Sequence, residues 1–341
     1  MCFCEKFQVP ETEVFKSNLF LQYKDLSLTE RNKLMKAHIL RFSMNTLKKC
    51  HANFSKFAQY CNGQIFPINL GKLNGFLMTC GEDGKSFIVI NDYVNSIKCM
   101  TKFLNYEFPN DTLIRPMLNF MKKFCDKKST RLRYGYQKKD LLKLQRRITR
   151  QGGLEKLSKV RLRSYMLLVF CYCTMSRFDC ASRVKLENLE FFKDYVKIKI
   201  SKSKTDQSGD GQDVFLVNLP ELNVVKLLAN YLFIFDMGQS DVLFPPLEWE
   251  PNSKIWIPVG SRALSYSAAY SGFKSLLEHF GIESTGFSLH SPRIGATTDA
   301  LQNGTPGYVI DKRGRWRDPT TKFIYAKDSE ADLVNVILRH A

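Results

Sequence analysis

The most apolar stretch of this chain constrains its fold more than any other feature. Residues 155–173 have a helical pattern, and their longest uninterrupted apolar run covers residues 165–173. A membrane-spanning helix needs about 20 apolar residues, so this run is too short to cross a bilayer. The stretch therefore predicts a helix of a globular domain. It ends at Thr174, Met175, Ser176 and Arg177, just before the first predicted strands.

The sequence around this helix predicts a few short strands among further helices. In residues 195–200, Val196, Ile198 and Ile200 alternate with Tyr195, Lys197 and Lys199, which is the period of a β-strand. Two more strands are predicted at 189–192 and 214–217. Helices are predicted at 137–151, 221–235, 265–280, 292–302, 306–312, 319–326 and 330–339. The predicted fold class is mainly α with a small antiparallel β-sheet.

The first third of the chain has a different pattern, which predicts a separate helical domain. Residues 1–25 show no periodicity and are predicted to be an N-terminal arm. A helix with Ser27 or Thr29 as its N-cap is predicted next, with apolar positions at Leu34, Ile39, Leu40, Met44 and Leu47. Further helices are predicted at 71–79, 92–105 and 113–125. We therefore predict a helical domain over 26–126, a basic linker over 127–140 and a mixed domain over 141–341.

The charge balance indicates a polyanionic partner. Lys and Arg number 51 against 33 Asp and Glu, which gives a net charge of +18. Such an excess repels itself unless a polyanion neutralises it, so double-stranded DNA is a candidate partner. A generally basic surface or a peripheral membrane patch is the alternative. Candidate DNA-binding residues in and beside the linker are Lys127, Lys128, Arg131, Arg133, Lys138 and Lys139. A solvated linker or a nuclear-targeting segment would also explain this run.

The ten cysteines do not have the spacing of a metal site. Cys2 and Cys4 form one C-x-C pair, and Cys171 and Cys173 form another inside the apolar run. Neither pair has a partner pair, so a zinc site is unsupported. We predict no metal or cofactor, and we interpret the cysteines as reduced thiols of an intracellular protein.

Two predicted helix starts carry residues suited to binding a phosphate. His290, Ser291, Pro292 and Arg293 form the first start, because Pro is favoured at the first helical position and Ser291 can cap the helix. The free N–H groups of such a start attract anions. Alone, an H-x-x-R pattern is more often structural than functional.

The second start lies downstream, where Asp318 can cap a helix beginning at Pro319. Trp316 lies just before this helix and Tyr325 near its far end. Upstream, Lys202 and Lys204 lie in a polar loop that follows a predicted strand. Singly, Tyr325, Trp316 and Lys204 could be a helix aromatic, a core anchor and a surface charge.

Taken together and in this order, these residues resemble the tyrosine recombinase (phage integrase) family. The matching residues are Arg177, Lys204, His290, Arg293, Trp316 and Tyr325. The spacings from Arg293 and Trp316 to Tyr325 fit the family pattern. The resemblance covers residues 141–341, and the helical region resembles the family's core-binding domain in kind. The segment around Lys202 and the Gly-Arg-Trp sequence further resemble recombinases of eukaryotic mobile elements, such as DIRS-like retrotransposons and Cryptons.

The sequence departs from the family pattern beside its first arginine. The family often has glycine in the turn before that arginine, where this chain has Met175 and Ser176. It also often has an acidic residue three positions after the arginine, where this chain has Cys180. We expect Asp179 to support Arg177 instead, or the support to be weaker.

The resemblance implies an enzyme that cuts and rejoins DNA through a 3′-phosphotyrosine bond at Tyr325. Arg177 and Arg293 would neutralise the phosphate without a metal ion. His290 would hold the phosphate or help to take the tyrosine proton, and the indole N–H of Trp316 would donate to a phosphate oxygen. Lys204, or else Lys202, would protonate the leaving 5′-oxygen.

The implied assembly is a dimer at each DNA site and a tetramer when two sites are paired, with the predicted C-terminal helix acting as an exchange helix that docks on a neighbouring subunit. The alternative is that this helix folds back on its own domain. The implied role is integration or excision of a mobile element, in the nucleus if the host is eukaryotic and otherwise in the cytoplasm or nucleoid. The alternatives are relaxation of supercoiled DNA, as by a type IB topoisomerase, and a domesticated DNA-binding protein without recombination activity. A metal-dependent DDE-type transposase is not supported, because the acidic residues show no matching pattern.

Overall fold

The protein has two folded units. The computed structural model describes residues 25–27, 29–30, 33–34, 37, 43–125, 134–200, 211–237, 240–260, 262–316 and 318–325. The units are Met1–Thr130 and Arg131–Ala341, and each has its own hydrophobic core. None of the helices within the described ranges has the length and hydrophobicity needed to cross a membrane.

The described part of the first unit is mainly helical. Its helices are α1 (Met44–Tyr60), α2 (Leu70–Glu82), α3 (Phe87–Phe103) and α4 (Asp111–Phe124). Ser43, Asn69 and Asn110 begin three of them, because each side chain accepts a hydrogen bond from a backbone N–H of the first turn. The helices bury apolar side chains such as Leu77 and Ile97, which have no solvent exposure.

One helix of this unit differs from the prediction. Ser27 does begin a helical segment, since its Oγ accepts a hydrogen bond from the backbone N–H of Glu30 at 3.4 Å. The prediction of a single helix that continues through Leu47 is wrong, however. Ser43 has extended backbone, and its Oγ accepts a hydrogen bond from Thr46 N at 3.1 Å. This cap starts α1, which runs on to Tyr60.

The second unit is built around the apolar helix that the sequence predicts. Its helices are α5 (Lys138–Arg150), α6 (Lys159–Cys173), α7 (Phe178–Ala181), α8 (Val224–Phe235), α9 (Tyr266–His279), α10 (Ser291–Gln302), α11 (Gly307–Gly314) and α12 (Thr321–Tyr325). Helix α6 is buried on every side and packs against α8, α9 and α10. Its residues 165–173 are apolar on every face, and such a run is stable in a globular protein only when it is buried on every side.

A three-stranded antiparallel sheet packs against α8. Its strands are β1 (Leu189–Phe191), β2 (Tyr195–Ile200) and β3 (Gln212–Val217), in the order β1-β2-β3. Val196, Ile198 and Ile200 are buried, as their alternation predicts. The predicted fold class, mainly α with a small antiparallel sheet, is confirmed.

A second sheet is absent from the sequence-based prediction. It is the antiparallel hairpin of β4 (Leu247–Glu250) and β5 (Ile255–Pro258). The rings of Trp249 and Trp256 pack edge to face at the paired position, with centroids 5.5 Å apart. Both rings are substantially exposed. A hairpin without one buried face lacks the apolar alternation on which strand prediction depends.

Candidate active site

The turn that follows α6 places Arg177. Thr174 caps the end of the helix by donating its hydroxyl to the carbonyl of Phe170 at 2.7 Å. Met175 has φ of 50°, in the left-handed region where glycine is favoured, so the chain turns sharply there. Arg177 follows as the N-cap residue of α7 and is half-buried. Its guanidinium makes no hydrogen bond or ion pair with any described residue.

Arg293 lies at the centre of the site. Helix α10 begins at Ser291, and Pro292 lies in its first turn, as the sequence predicts. His290 is the N-cap residue, and the prediction that Ser291 is the cap is wrong. Arg293 has no solvent exposure. Its Nη1 donates to the carbonyl of Met175, and its Nη2 donates to the carbonyl of Gly314 at 2.7 Å.

These hydrogen bonds connect parts of the chain that are distant in sequence. Met175 lies 118 residues before Arg293. The guanidinium of Arg293 therefore joins the turn before Arg177 to the end of α11. A buried charge of this kind is tolerated only when hydrogen bonds replace its hydration.

Trp316 covers the guanidinium of Arg293. The guanidinium carbon lies 4.4 Å from the centroid of the indole ring, which is close enough for a cation–π interaction. Trp316 is 9% exposed, and its backbone N–H donates to the carbonyl of Asp311 at 3.1 Å. The ring also lies against the backbone of Gly314, where an added Cβ would be only 2.0 Å from the indole.

A buried ion pair attaches α12 to α11. Lys322 Nζ lies 2.6 Å from the carboxylate of Asp311, and both side chains are largely buried. Helix α12 begins at Thr321, two positions later than predicted, although Asp318 does accept a hydrogen bond from Thr320 N at 2.8 Å. The last residue of α12 is Tyr325, for which the structure describes the backbone.

Helix α10 packs closely against the segment that precedes α5. An added Cβ on Gly295 would lie 2.0 Å from the carbonyl oxygen of Tyr136. In addition, Tyr136 N donates to the carbonyl of Ser291 at 2.8 Å. Only glycine fits at this contact.

The structure brings together most of the predicted catalytic residues. Helix α10 carries Arg293, with His290 at its N-cap, and Arg293 contacts the turn before Arg177 and the ring of Trp316. Helix α10 also packs against α12, which ends at Tyr325. The candidate lysines Lys202 and Lys204 lie outside the described residues, between β2 and β3.

The candidate support of Arg177 by Asp179 is not found. The carboxylate of Asp179 is 2.9 Å from Nη2 of Arg183, one turn later on the same side of the chain. Both side chains are exposed. Asp179 is therefore held away from the buried turn that precedes Arg177.

Two of the candidate DNA-binding residues, Lys138 and Lys139, are described, and they differ in their surroundings. The Nζ of Lys138 forms an ion pair with Glu221 at 2.8 Å, and its backbone N–H donates to Asp299 at 2.7 Å. Lys139 is exposed. The others lie outside the described residues: Lys127, Lys128, Arg131, Arg133 and Lys202.

Sequence reasoning missed two arginines that flank the site. The guanidinium of Arg313 donates from Nε to the carbonyl of Cys173 at 3.1 Å. The guanidinium of Arg315 donates from Nη2 to the hydroxyl of Ser176 at 2.9 Å. Both arginines therefore hold the turn before Arg177. The signal in the sequence that could have identified them is their position on either side of Gly314, next to the candidate residue Trp316.

Within the described part of the chain, no group of three His, Cys, Asp or Glu side chains is arranged to hold a metal ion.

The chain shares its fold with solved site-specific recombinases and integrases. No protein-family model matches it, and no curated protein sequence matches it. It is similar to the structure of XerH site-specific recombinase bound to palindromic difH substrate, with a TM-score of 0.59 and 16% identity, covering 96% of this chain and 88% of that chain.

Two further structures give the same result. For the Tn1549 transposon integrase in complex with transposon right end DNA, the TM-score is 0.61 at 14% identity, over 90% of this chain and 98% of that chain. For a lambda integrase dimer bound to a COC′ core site, it is 0.53 at 11% identity, over 87% and 75%. The likeness at these identities establishes the fold.

Proposed function

We propose that this protein is a tyrosine recombinase that cleaves and rejoins DNA strands through a covalent 3′-phosphotyrosine bond at Tyr325. One observation carries the proposal most directly. The half-buried guanidinium of Arg177 has no partner among the described residues. It extends from a turn that Arg293 holds, in the unit where Trp316 covers Arg293 and α12 ends at Tyr325.

The arrangement suits phosphoryl transfer to a tyrosine hydroxyl. The Tyr325 oxygen would attack the scissile phosphorus, and the bond to the 5′-oxygen would break. Tyrosine has an ordinary pKa of about 10, so nearby positive charge is needed to favour its anion. Arg177 and Arg293 supply two charges that persist at any working pH. Preorganised charge of this kind lowers the barrier in place of a metal ion.

The remaining candidates would move or hold protons and oxygens. His290, at the N-cap of α10, would hold the phosphate or accept the tyrosine proton. The Trp316 indole would donate to a phosphate oxygen. Lys204, with Lys202 as the alternative, would give a proton to the leaving 5′-oxygen. Rejoining is the reverse reaction, in which a 5′-hydroxyl attacks the phosphotyrosine.

We further propose that residues 26–126 and 141–341 both bind duplex DNA, with the basic linker 127–140 on the phosphates. The net charge of +18 supports a DNA partner. The resemblance to recombinases of DIRS-like and Crypton elements supports a role in integration or excision of a mobile element. Dimers on single sites, tetramers on paired sites and a nuclear location in a eukaryotic host are part of this proposal.

A nicked suicide substrate tests the proposed chemistry. Loss of its short 5′-hydroxyl fragment after cleavage should trap the protein on the DNA 3′-phosphate, and the adduct should form in EDTA. Tyr325→Phe should bind DNA and form no adduct, because it removes the only side-chain oxygen. Tyr308→Phe is the matched control, since Tyr308 is a 74% exposed tyrosine on α11.

Peptide mapping of the trapped species should place the bond at Tyr325. An adduct that persists in Tyr325→Phe, or one that requires Mg²⁺, would contradict the proposal. Relaxation of a supercoiled plasmid without any exchange between two sites would instead indicate a topoisomerase. Binding without an adduct in the wild-type protein would indicate a DNA-binding protein that lacks catalysis.

A further inference from the structure

Arg315 has an unusual backbone conformation for its residue type. It is the C-cap residue of α11, with φ of 55° and ψ of 49°, in the left-handed region. Glycine adopts this conformation readily, whereas a long side chain adopts it only against a steric cost. Such residues cluster at functional sites, where the surrounding structure holds them in place.

The side chain of Arg315 is also buried, and no described residue provides it with a counter-charge. It is 8% exposed, and none of the ion pairs among the described residues includes it. Its Nη2 donates to the hydroxyl of Ser176 at 2.9 Å. Its Nη1 is buried and has no hydrogen-bond partner among the described residues. A buried cation with an unsatisfied donor destabilises the fold unless an anion approaches it.

Arg315 lies within electrostatic range of another positive charge, that of Arg177. Burial is the largest cause that lowers the pKa of Arg315, and the positive charge of Arg177 also lowers it. The guanidinium of Arg177 has no partner among the described residues either. Arg315 and Arg177 thus both lie at the turn between α6 and α7, where Arg315 contacts Ser176, the residue before Arg177. Repulsion between them would be relieved by a bound anion such as a DNA phosphate.

Ser176 links the two arginines. Its hydroxyl accepts from Arg315 and lies 2.7 Å from the hydroxyl of Thr174, which caps α6. It directly precedes Arg177 in the chain. The serine occupies the turn where the tyrosine recombinase pattern often has glycine. Its hydroxyl accepts the hydrogen bond from Arg315, and a glycine at this position could not do so.

We propose that Arg315 is a positioning residue of the strand-transfer reaction, which holds Arg177 through Ser176 and adds positive charge to the site that binds the scissile phosphate. This inference rests on the proposed function. It explains why a strained backbone, a buried charge and a like-charged neighbour occur together at one residue. Arg315 acts through Arg177, so its loss should slow cleavage more than it weakens DNA binding.

Arg315→Gly separates this role from a structural one. Glycine relieves the left-handed backbone and removes the buried charge, so the midpoint of thermal unfolding should stay the same or rise. The Kd for intact duplex should change by less than about threefold, because contacts between the protein and the other phosphates of the duplex supply most of the affinity. The single-turnover rate of adduct formation on the suicide substrate should fall at least about tenfold.

Three other variants make the test specific. Arg315→Lys keeps the charge and should recover most of the lost rate. Ser176→Ala should slow the reaction, and the double variant with Arg315→Gly should lose less than the two single losses combined, because the residues act as a unit. Lys254→Gly is the matched backbone control, since Lys254 is exposed in the β4–β5 turn with φ of 54°.

The outcomes distinguish this inference from the proposed function. A wild-type protein that forms the adduct, with Arg315→Gly reacting at the same rate, would overturn the role of Arg315 alone. A rate that falls only in proportion to a loss of folded protein would also overturn it, as would an Arg315→Lys rate as low as that of Arg315→Gly. Absence of any adduct in the wild-type protein would overturn the proposed function itself.

Discussion

Gly295→Ala tests the contact that places α10, and with it Arg293. The added Cβ would lie 2.0 Å from the carbonyl oxygen of Tyr136, 2.3 Å from its carbonyl carbon and 2.8 Å from Gln137 N. All three are backbone atoms, so no side chain can rotate to make room. The helix and the 134–136 segment would have to separate by more than an ångström, which stretches the hydrogen bond from Tyr136 N to the carbonyl of Ser291.

Two effects of opposite sign set the magnitude. Alanine is favoured over glycine inside a helix by about 1 kcal/mol. Overpacking in a tight core costs about 1–3 kcal/mol, and a clash with backbone belongs at the upper end of that range. We therefore expect Gly295→Ala to lower the free energy of unfolding of the second unit by about 2 kcal/mol.

Urea unfolding followed by tryptophan fluorescence measures this change. The three tryptophans, Trp249, Trp256 and Trp316, all belong to the second unit, so their emission reports on that unit. Gly272→Ala is the matched control on α9. Its added Cβ would meet the Ser164 Oγ at 2.5 Å, a side-chain atom that can rotate away, so its stability should stay within about 1 kcal/mol of wild type.

The same substitution should affect the reaction, because α10 carries Arg293. A misplacement of about 1 Å at a catalytic group can cost about 100-fold in rate. Formation of the suicide-substrate adduct by folded Gly295→Ala should slow accordingly. A variant that unfolds at or above the wild-type urea midpoint would refute the reasoning, since the helix could not then be held against the Tyr136 carbonyl.

Three further predictions concern DNA binding, assembly and thiol reactivity. Affinity for duplex DNA should fall steeply with salt, by about 0.9 log units per log unit of salt for each neutralised phosphate, and a slope worth only one or two phosphates would contradict binding by both units. Deletion of the residues after Lys327 should leave binding to a single site intact and abolish pairing of two sites, as measured by gel shift on paired-site DNA; tetramers formed by the truncated protein would contradict it. Burial raises the pKa of Cys171 and of Cys173 to about 12, so mass spectrometry should find both thiols unmodified after iodoacetamide treatment of native protein at pH 8, and modified in urea.

Local patterns in the sequence were sufficient for much of the fold. The alternation of Val196, Ile198 and Ile200 predicts β2, and Pro292 predicts the start of α10, because strand period and helix initiation depend on neighbouring residues. The order of Arg177, Arg293, Trp316 and Tyr325 was sufficient to suggest a chemistry. These inferences need only residue types and their spacing.

Local sequence could not provide the long-range contacts of the candidate site. The sequence predicted a phosphate-neutralising role for Arg293, but it did not predict that this side chain is fully buried and donates to the carbonyls of Met175 and Gly314. Arg315 had no feature of its own until the fold buried it beside Ser176. Three-dimensional packing between distant segments, such as those of Met175 and Arg293, which are 118 residues apart, determines which carbonyl groups a buried guanidinium contacts. The local periodicity of either segment carries no information about that contact.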